Sequence, residues 1–361
     1  MNYKKWIYTF ITGLLLGSFF IATINIIVDP FFHYRKPLPQ LFYKLDNERY
    51  QNDGILKHFD YDGIIIGTSM TQNFKTTEFN DLFNVKSIKV PFAGAYYKEI
   101  NDNLEKAFDS GHNVKYVIRG LDYNKLISPK DEMRYALKDY PVYLYNDNIF
   151  DDISYIFNGE VVDRSIKMLK NRIKGQDGGI TSFDKYSNWG DTYKFGTKYV
   201  LKGKKVYNKP ANIMSLTQSD KETIKANIEQ NVTSLVKKHP ETTFYYFFTP
   251  YSIVYWAQLY EKGEISKQIE AEKYAMELIL KCPNIKLFSF NTMTNITMNL
   301  DNYKDSGHYG EWINSLILTY MKENKGLITK ENYKNYINAE KLLYLNYNYN
   351  NLIEKSDLTE D

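Results

Sequence analysis

Five apolar runs of six residues, at 62–67, 85–90, 114–119, 243–248 and 285–290, recur along the chain, and helical patterns separate most of them. Runs this short, rich in β-branched and aromatic residues, have the length of buried strands rather than of core helices. The intervening patterns fall at 76–83, 98–108, 220–238, 266–281 and 311–324. Strands that alternate with helices pair in parallel and need both faces covered, so an α/β fold with a doubly wound parallel sheet of about five strands is expected. One interval breaks the rhythm. More than a hundred residues separate the third run from the fourth, whereas a crossover needs only about a dozen. An inserted subdomain or lid is therefore expected at 129–215. It opens with a helix-like piece at 149–173 and continues through a Gly-, Tyr- and Lys-rich stretch at 175–209 that reads as an extended loop.

Residues 6–28 contain no charged side chain. At 1.5 Å per residue, that run crosses a hydrocarbon core of about 30 Å. Lys4 and Lys5 precede it, which favours an inside N-terminus and an extracytoplasmic remainder. The run exceeds the usual signal-peptide core of about 7–15 residues, and no small-x-small site closes it. A single-pass anchor in the cell membrane is the expectation. The chain then divides into an anchor at 1–28, a connector at 29–58, a core in two parts at 59–128 and 216–325, the insert between them, and a C-terminal appendage at 326–361.

Composition narrows the function classes. Among 361 residues, 46 basic and 43 acidic side chains leave a net charge of +3, too little of one sign to hold a polyanion along the surface. Nucleic acid is not an expected partner. A single cysteine, Cys282, reads as a small core residue and excludes an internal disulfide framework. No His-x-x-x-His, cysteine pair or carboxylate-rich loop is present, so neither a metal nor a cofactor is expected.

The first run leads directly into Gly67-Thr68-Ser69. Ligands of open parallel sheets bind beyond the carboxyl ends of the strands, so a serine here sits where substrates arrive, beside helix N-terminal amides able to receive an oxyanion. On the motif alone, Ser69 is equally well a helix N-cap. A serine nucleophile needs a base, and the base needs an orienting partner. Two of the five histidines lie in the same tetrapeptide, Asp109-Ser110-Gly111-His112 and Asp305-Ser306-Gly307-His308. The first closes a helix ahead of a strand, which places it near the amino ends of the sheet. The second follows the last of the five runs and precedes the last of the five helical patterns, on the rim that carries Ser69, so His308 is the favoured base.

These motifs resemble the SGNH or GDSL hydrolase superfamily over roughly residues 60–125 and 243–322. The resemblance implies a flavodoxin-like sheet with Ser69 as nucleophile, His308 as base and Asp305 as its orienting acid. It also implies an oxyanion hole from Ser69, Gly94 of Pro91-Phe92-Ala93-Gly94, and Asn124. The third block, Gly120-Leu121-Asp122-Tyr123-Asn124, departs from the family's Gly-x-Asn-Asp, and the first lacks its Asp and Leu. With an N-terminal anchor, the pattern is similar to envelope acyl-transfer and esterase proteins such as the D-alanyl-transfer protein of teichoic-acid operons. The implied partners are an acyl donor, an envelope glycan and a multi-spanning membrane acyltransferase. A catalytically inactive SGNH-like scaffold or glycan-binding partner of such an acyltransferase or exporter is the alternative, and tyrosines of 175–207 are candidate stacking platforms for sugar.

Overall fold

The computed structural model describes residues 3–134, 140–146 and 148–353; the acidic end of the C-terminal appendage lies outside them, as do residues 135–139 and 147 of the expected insert. The chain forms two compact units, Met1–Phe59 with Tyr135–Tyr186, and Asp60–Arg134 with Ser187–Asp361.

The second unit contains the sheet. Its strands are β1 (Gly63–Gly67), β2 (Ser87–Pro91), β3 (Tyr116–Leu121), β4 (Thr243–Phe248), β5 (Ile285–Ser289) and β6 (Leu327–Ile328), in the spatial order β2-β1-β3-β4-β5-β6. The first five are parallel, and β6 runs antiparallel to β5. The expectation of about five strands is thus corrected to six: a two-residue edge strand is too short to leave a hydrophobic period in the sequence. The order 2-1-3-4-5 is one of the common doubly wound arrangements. Helices Thr76–Phe83 and Glu311–Lys322 pack together as one group, while Ile265–Ile279 packs against both Gln218–Ile228 and Tyr333–Leu345. Strands β1 and β2 are buried along their full lengths, as coverage on both faces requires.

A buried cation ties the sheet to its helices. Arg119 on β3 is fully buried, donates to the carbonyls of Asn231 at 2.7 Å and Tyr97 at 3.3 Å, and stands 5.6 Å from the ring centroids of both Tyr97 and Tyr246. The helical pattern at 220–238 opens into a π-helical segment, Glu229–Thr233, where Asn231 gives up its carbonyl to Arg119; such π segments interrupt the i→i−4 ladder and release carbonyls for other donors. Helices Glu48–His58, Ile253–Lys262 and Tyr333–Leu345 were not separated from their surroundings by periodicity. Cys282 is buried.

The first unit is built around helix Tyr3–Val28, which is long and apolar enough to cross a membrane. Its C-terminal carbonyls lack intrahelical donors, and Arg35 returns to them, donating to Ile27 O at 2.6 Å and also to Ile26 O. Asp29, buried just past the helix, accepts from the amides of His33, Tyr34 and Arg35 at 2.9, 2.8 and 3.1 Å and from Tyr155 Oη at 2.7 Å. Residues 29–58 are therefore a folded segment of this unit. The helix-like piece at 149–173 is two helices, Ile153–Ile156 and Gly159–Lys174, divided at Asn158, which caps the second.

A pair of carboxyl groups sits in the core of the second unit. Glu272 and Glu340 are fully buried and both accept from Asn291 Nδ2, at 3.2 and 2.9 Å. Burial raises both carboxyls, with the Glu340 charge adding to the rise at Glu272, and Glu340 is pushed up to about 7. Gln268 and the tyrosines 97, 123, 255, 336 and 344 surround them. A raised folded pKa stabilises the protonated folded state, so this contribution is complete below the unfolded carboxyl range near 4.5 and is lost as pH rises through about 7. Thermal melts from pH 6 to 9 are expected to show a falling midpoint, with Glu340→Gln flattening the decline. An equally steep decline in the variant contradicts this assignment.

Candidate active site

β1 ends on the carboxyl rim of the sheet, and its last residue makes the turn possible. Gly67 has φ +156°, and a Cβ there would lie 2.6 Å from the Thr71 methyl, closer than a side chain tolerates. The chain continues into a single 3-10 turn, Ser69–Thr71, capped by Thr68, whose Oγ1 accepts from Met70 N at 3.3 Å. Capping thus belongs to Thr68, and the Ser69 hydroxyl is left for another partner.

That partner is His308. Ser69 Oγ lies 2.8 Å from His308 Nε2, and His308 Nδ1 lies 2.9 and 3.0 Å from the two oxygens of Asp305. The Asp305 carboxylate also accepts the amides of Gly307 at 2.9 Å and His308 at 2.8 Å. Burial on its own would raise this carboxyl, but the hydrogen bond and charge of His308, with the two backbone amides, outweigh it and hold the group well below the usual carboxylate range. Asp305 is therefore anionic at neutral pH. Its position assigns the proton of a neutral imidazole to Nδ1 and the lone pair on Nε2 to Ser69.

Both loops are fixed from outside. Asn314 Nδ2 and Tyr309 Oη donate to Met70 O at 3.0 and 3.4 Å, tying the serine turn to the last helix before β6. Ser252 donates to Ser306 O from its amide at 3.1 Å and its hydroxyl at 2.8 Å, and Tyr303 Oη donates to Pro250 O at 2.7 Å. The Asp305–His308 loop is thereby held to the segment that follows β4.

The three side chains open onto a cleft of about 470 Å³ that Gly94, Asn124, Tyr251 and Tyr255 also line, a volume within the usual range for small-molecule sites. Gly94 has φ +68°, a backbone conformation that strains any residue with a Cβ, and the Arg134 guanidinium lies beside it, 2.5 Å from where a Cβ would stand. Asn124 is exposed, with Oδ1 3.5 Å from Tyr251 Oη. Asp122, the departure in the third block, is buried and accepts from Thr68 Oγ1 at 2.6 Å and Tyr251 Oη at 2.5 Å. It joins the turn after β1 to the one after β4.

The other histidines are engaged elsewhere. His112 packs on Tyr61, 4.3 Å between ring centroids, ahead of β1 at the amino ends. His239 stacks on Phe108 at 3.8 Å, His33 pairs with Asp152 at 3.0 Å, and His58 bonds to His33 O at 3.2 Å. Sequence reasoning did not find Thr68, Tyr251 or Trp189. Tyr251 carried a usable signal, its place just beyond a strand's carboxyl end. Trp189 carried none: it comes from the irregular stretch at 175–209, yet its ring stands edge-on to His308 at 5.7 Å, with Lys304 Nζ 3.7 Å from its centroid. Among the described residues, no cluster of three or more His, Cys, Asp and Glu converges to hold a metal.

No protein-family model and no curated protein matches the chain. A solved structure from Streptococcus pneumonia, provisionally described as a platelet activating factor, aligns with 77% of this chain and 92% of its own at 12% identity and a TM-score of 0.39. A likeness that low carries no argument about function.

Replacing Asp122 by alanine leaves two buried hydroxyls without their charged acceptor, and hydrogen bonds to charged groups contribute about 1.5–3 kcal/mol each. Asp122→Ala is expected to cost about 3–6 kcal/mol in urea denaturation, and Asp122→Asn less; a neutral alanine variant contradicts the bridging role.

Proposed function

We propose that the chain is a membrane-anchored, serine-dependent acyl-transfer enzyme of the SGNH-hydrolase type. Its sheet is read as flavodoxin-like, its catalytic domain as extracytoplasmic, and its substrate as an acylated cell-envelope polysaccharide or related polymer. The observation that carries the reading is the relay from Ser69 Oγ through His308 to Asp305, with spacings of 2.8 and 2.9 Å, at the mouth of a cleft.

In the proposed mechanism, His308 Nε2 takes the Ser69 proton as Oγ attacks the acyl carbonyl, and the Asp305 carboxylate stabilises the imidazolium. Charge on the tetrahedral oxygen falls to the amides of Ser69 and Gly94, with Asn124 as a third donor. The carbonyl re-forms, the leaving group departs with the proton from His308, and the acyl group remains on Ser69 as an ester. A glycan hydroxyl or water then gives its proton to His308 and takes the acyl group, the ester bond to Ser69 breaks, and His308 Nε2 returns the proton to Ser69 Oγ. Transferase and esterase differ only in that second acceptor. General-base help contributes about 10²–10⁴ in rate, and each oxyanion donor about 10²–10³.

A non-catalytic scaffold that binds glycan or supports a membrane acyltransferase is the second reading. The third block favours it, because Asp122 is committed to Thr68 and Tyr251 and Asn124 is exposed.

Turnover of an acetyl or thioester model substrate tests the proposal. Ser69→Ala and His308→Ala are each expected to lower kcat about 10³-fold or more, while His112→Ala leaves it unchanged. Equal loss from the His112 change overturns the choice of base, and full activity in Ser69→Ala overturns the mechanism.

A further inference from the structure

Within the first unit, four large apolar side chains crowd into nine residues and face outward. Ile149 is 74% exposed, Phe150 84%, Ile153 61% and Phe157 46%. A soluble surface tolerates single exposed apolar residues but rarely a cluster of this kind. The segment is not loosely held. Asn146 Nδ2 donates to Asp151 at 2.9 Å, Asn148 Oδ1 accepts from the Phe150 amide at 3.2 Å, and Tyr155, fully buried, packs in the cluster of Phe31, Leu144 and Val161.

Its attachment to the apolar helix indicates what covers it. Helix Ile153–Ile156 packs on helix Tyr3–Val28, and Asn25 Nδ2 donates to Ile156 O at 2.6 Å. Asn25 is three residues before the end of Tyr3–Val28, about 4.5 Å along the axis. The apolar cluster therefore stands beside the exit end of the helix, at the depth where hydrocarbon gives way to headgroups. Charge fits the same boundary. Helix Gly159–Lys174, which also packs on Tyr3–Val28, carries Arg164, Lys167, Lys170, Arg172 and Lys174 against Glu160 and Asp163, and it exposes Ile166 at 41% and Ile173 at 84% among them. Apolar residues interleaved with a basic excess are what an anionic bilayer surface attracts.

We propose that residues 149–173 form a second membrane contact, with Ile149, Phe150, Ile153 and Phe157 inserted among the headgroups of an anionic bilayer beside the anchor. The proposal rests on the reading of Tyr3–Val28 as membrane-spanning, and a single helix leaves rotation about its axis free. A second contact off that axis removes this freedom and fixes how the first unit meets the surface.

The full chain, reconstituted in vesicles of mixed zwitterionic and anionic phospholipid, supplies the test. Spin labels are placed singly at Leu15→Cys, Phe150→Cys, Ile153→Cys and Lys221→Cys, the last an exposed site of the second unit; Cys282, 4% exposed, stays unlabelled. Relaxation by oxygen against a water-soluble nickel chelate reads the depth of each label. Labels at 150 and 153 are expected to give an oxygen-to-nickel ratio several-fold above that at 221, with the sign found at 15. A water-like ratio at 150 and 153 with a lipid-like one at 15 overturns the contact and leaves the anchor standing. Water-like ratios at all four sites overturn both. Labels at 150 and 153 shielded from both reagents overturn the lipid contact in favour of a protein one.

Discussion

Parallel strands all end on the same edge of a sheet, and that single constraint decides where chemistry can gather in this chain. Strand β1 delivers Gly67-Thr68-Ser69 to the carboxyl rim, β3 delivers Asp122, β4 delivers Tyr251, and the loop beyond β5 delivers Asp305 and His308. Residues more than two hundred positions apart meet because every crossover returns the chain to the same starting edge. The duplicated Asp-Ser-Gly-His tetrapeptide shows the rule from both sides. One copy closes a helix and reaches the amino ends, where His112 packs on Tyr61, and the other reaches the rim, where His308 meets Ser69.

Polar contacts then convert proximity into defined geometry. Asp305 is held by two backbone amides and faces the His308 ring, which leaves Nε2 as the acceptor toward Ser69. Asp122 links the turns after β1 and β4 through two buried hydroxyls, and Asn314 reaches across to the carbonyl of Met70. A side chain fixed this way gives up little rotational freedom when a ligand arrives, which is how pre-organised sites keep binding energy available for chemistry.

Much of the architecture could be read from local pattern. The five parallel strands fall on the six-residue apolar runs, β2 and β3 reaching one and two residues beyond them, and Gly67 marks where β1 stops. What escaped has identifiable causes. Strand β6 is two residues long, and helix Ile253–Lys262 follows β4 after a short turn, so its pattern merges with the run before it. Residues 29–58 looked like a connector because Pro30, Pro37 and Pro39 break any period, yet Asp29 gathers three backbone amides and Tyr155 into a buried knot. Of these contacts the Tyr155 bond is the long-range one, and it leaves no mark at short sequence separation. Trp189 reaches the edge of His308 in the same way, from a stretch whose composition suggested only loop.

The central claim is that the His308–Asp305 pair makes the Ser69 hydroxyl a nucleophile, and covalent capture measures this most directly. The full-length protein is treated with an activated fluorophosphonate, and the modified peptide is located by mass spectrometry. The account predicts one adduct, on Ser69, that is lost in folded His308→Ala. A folded wild-type chain that never acquires the label, or acquires it on another serine, contradicts it.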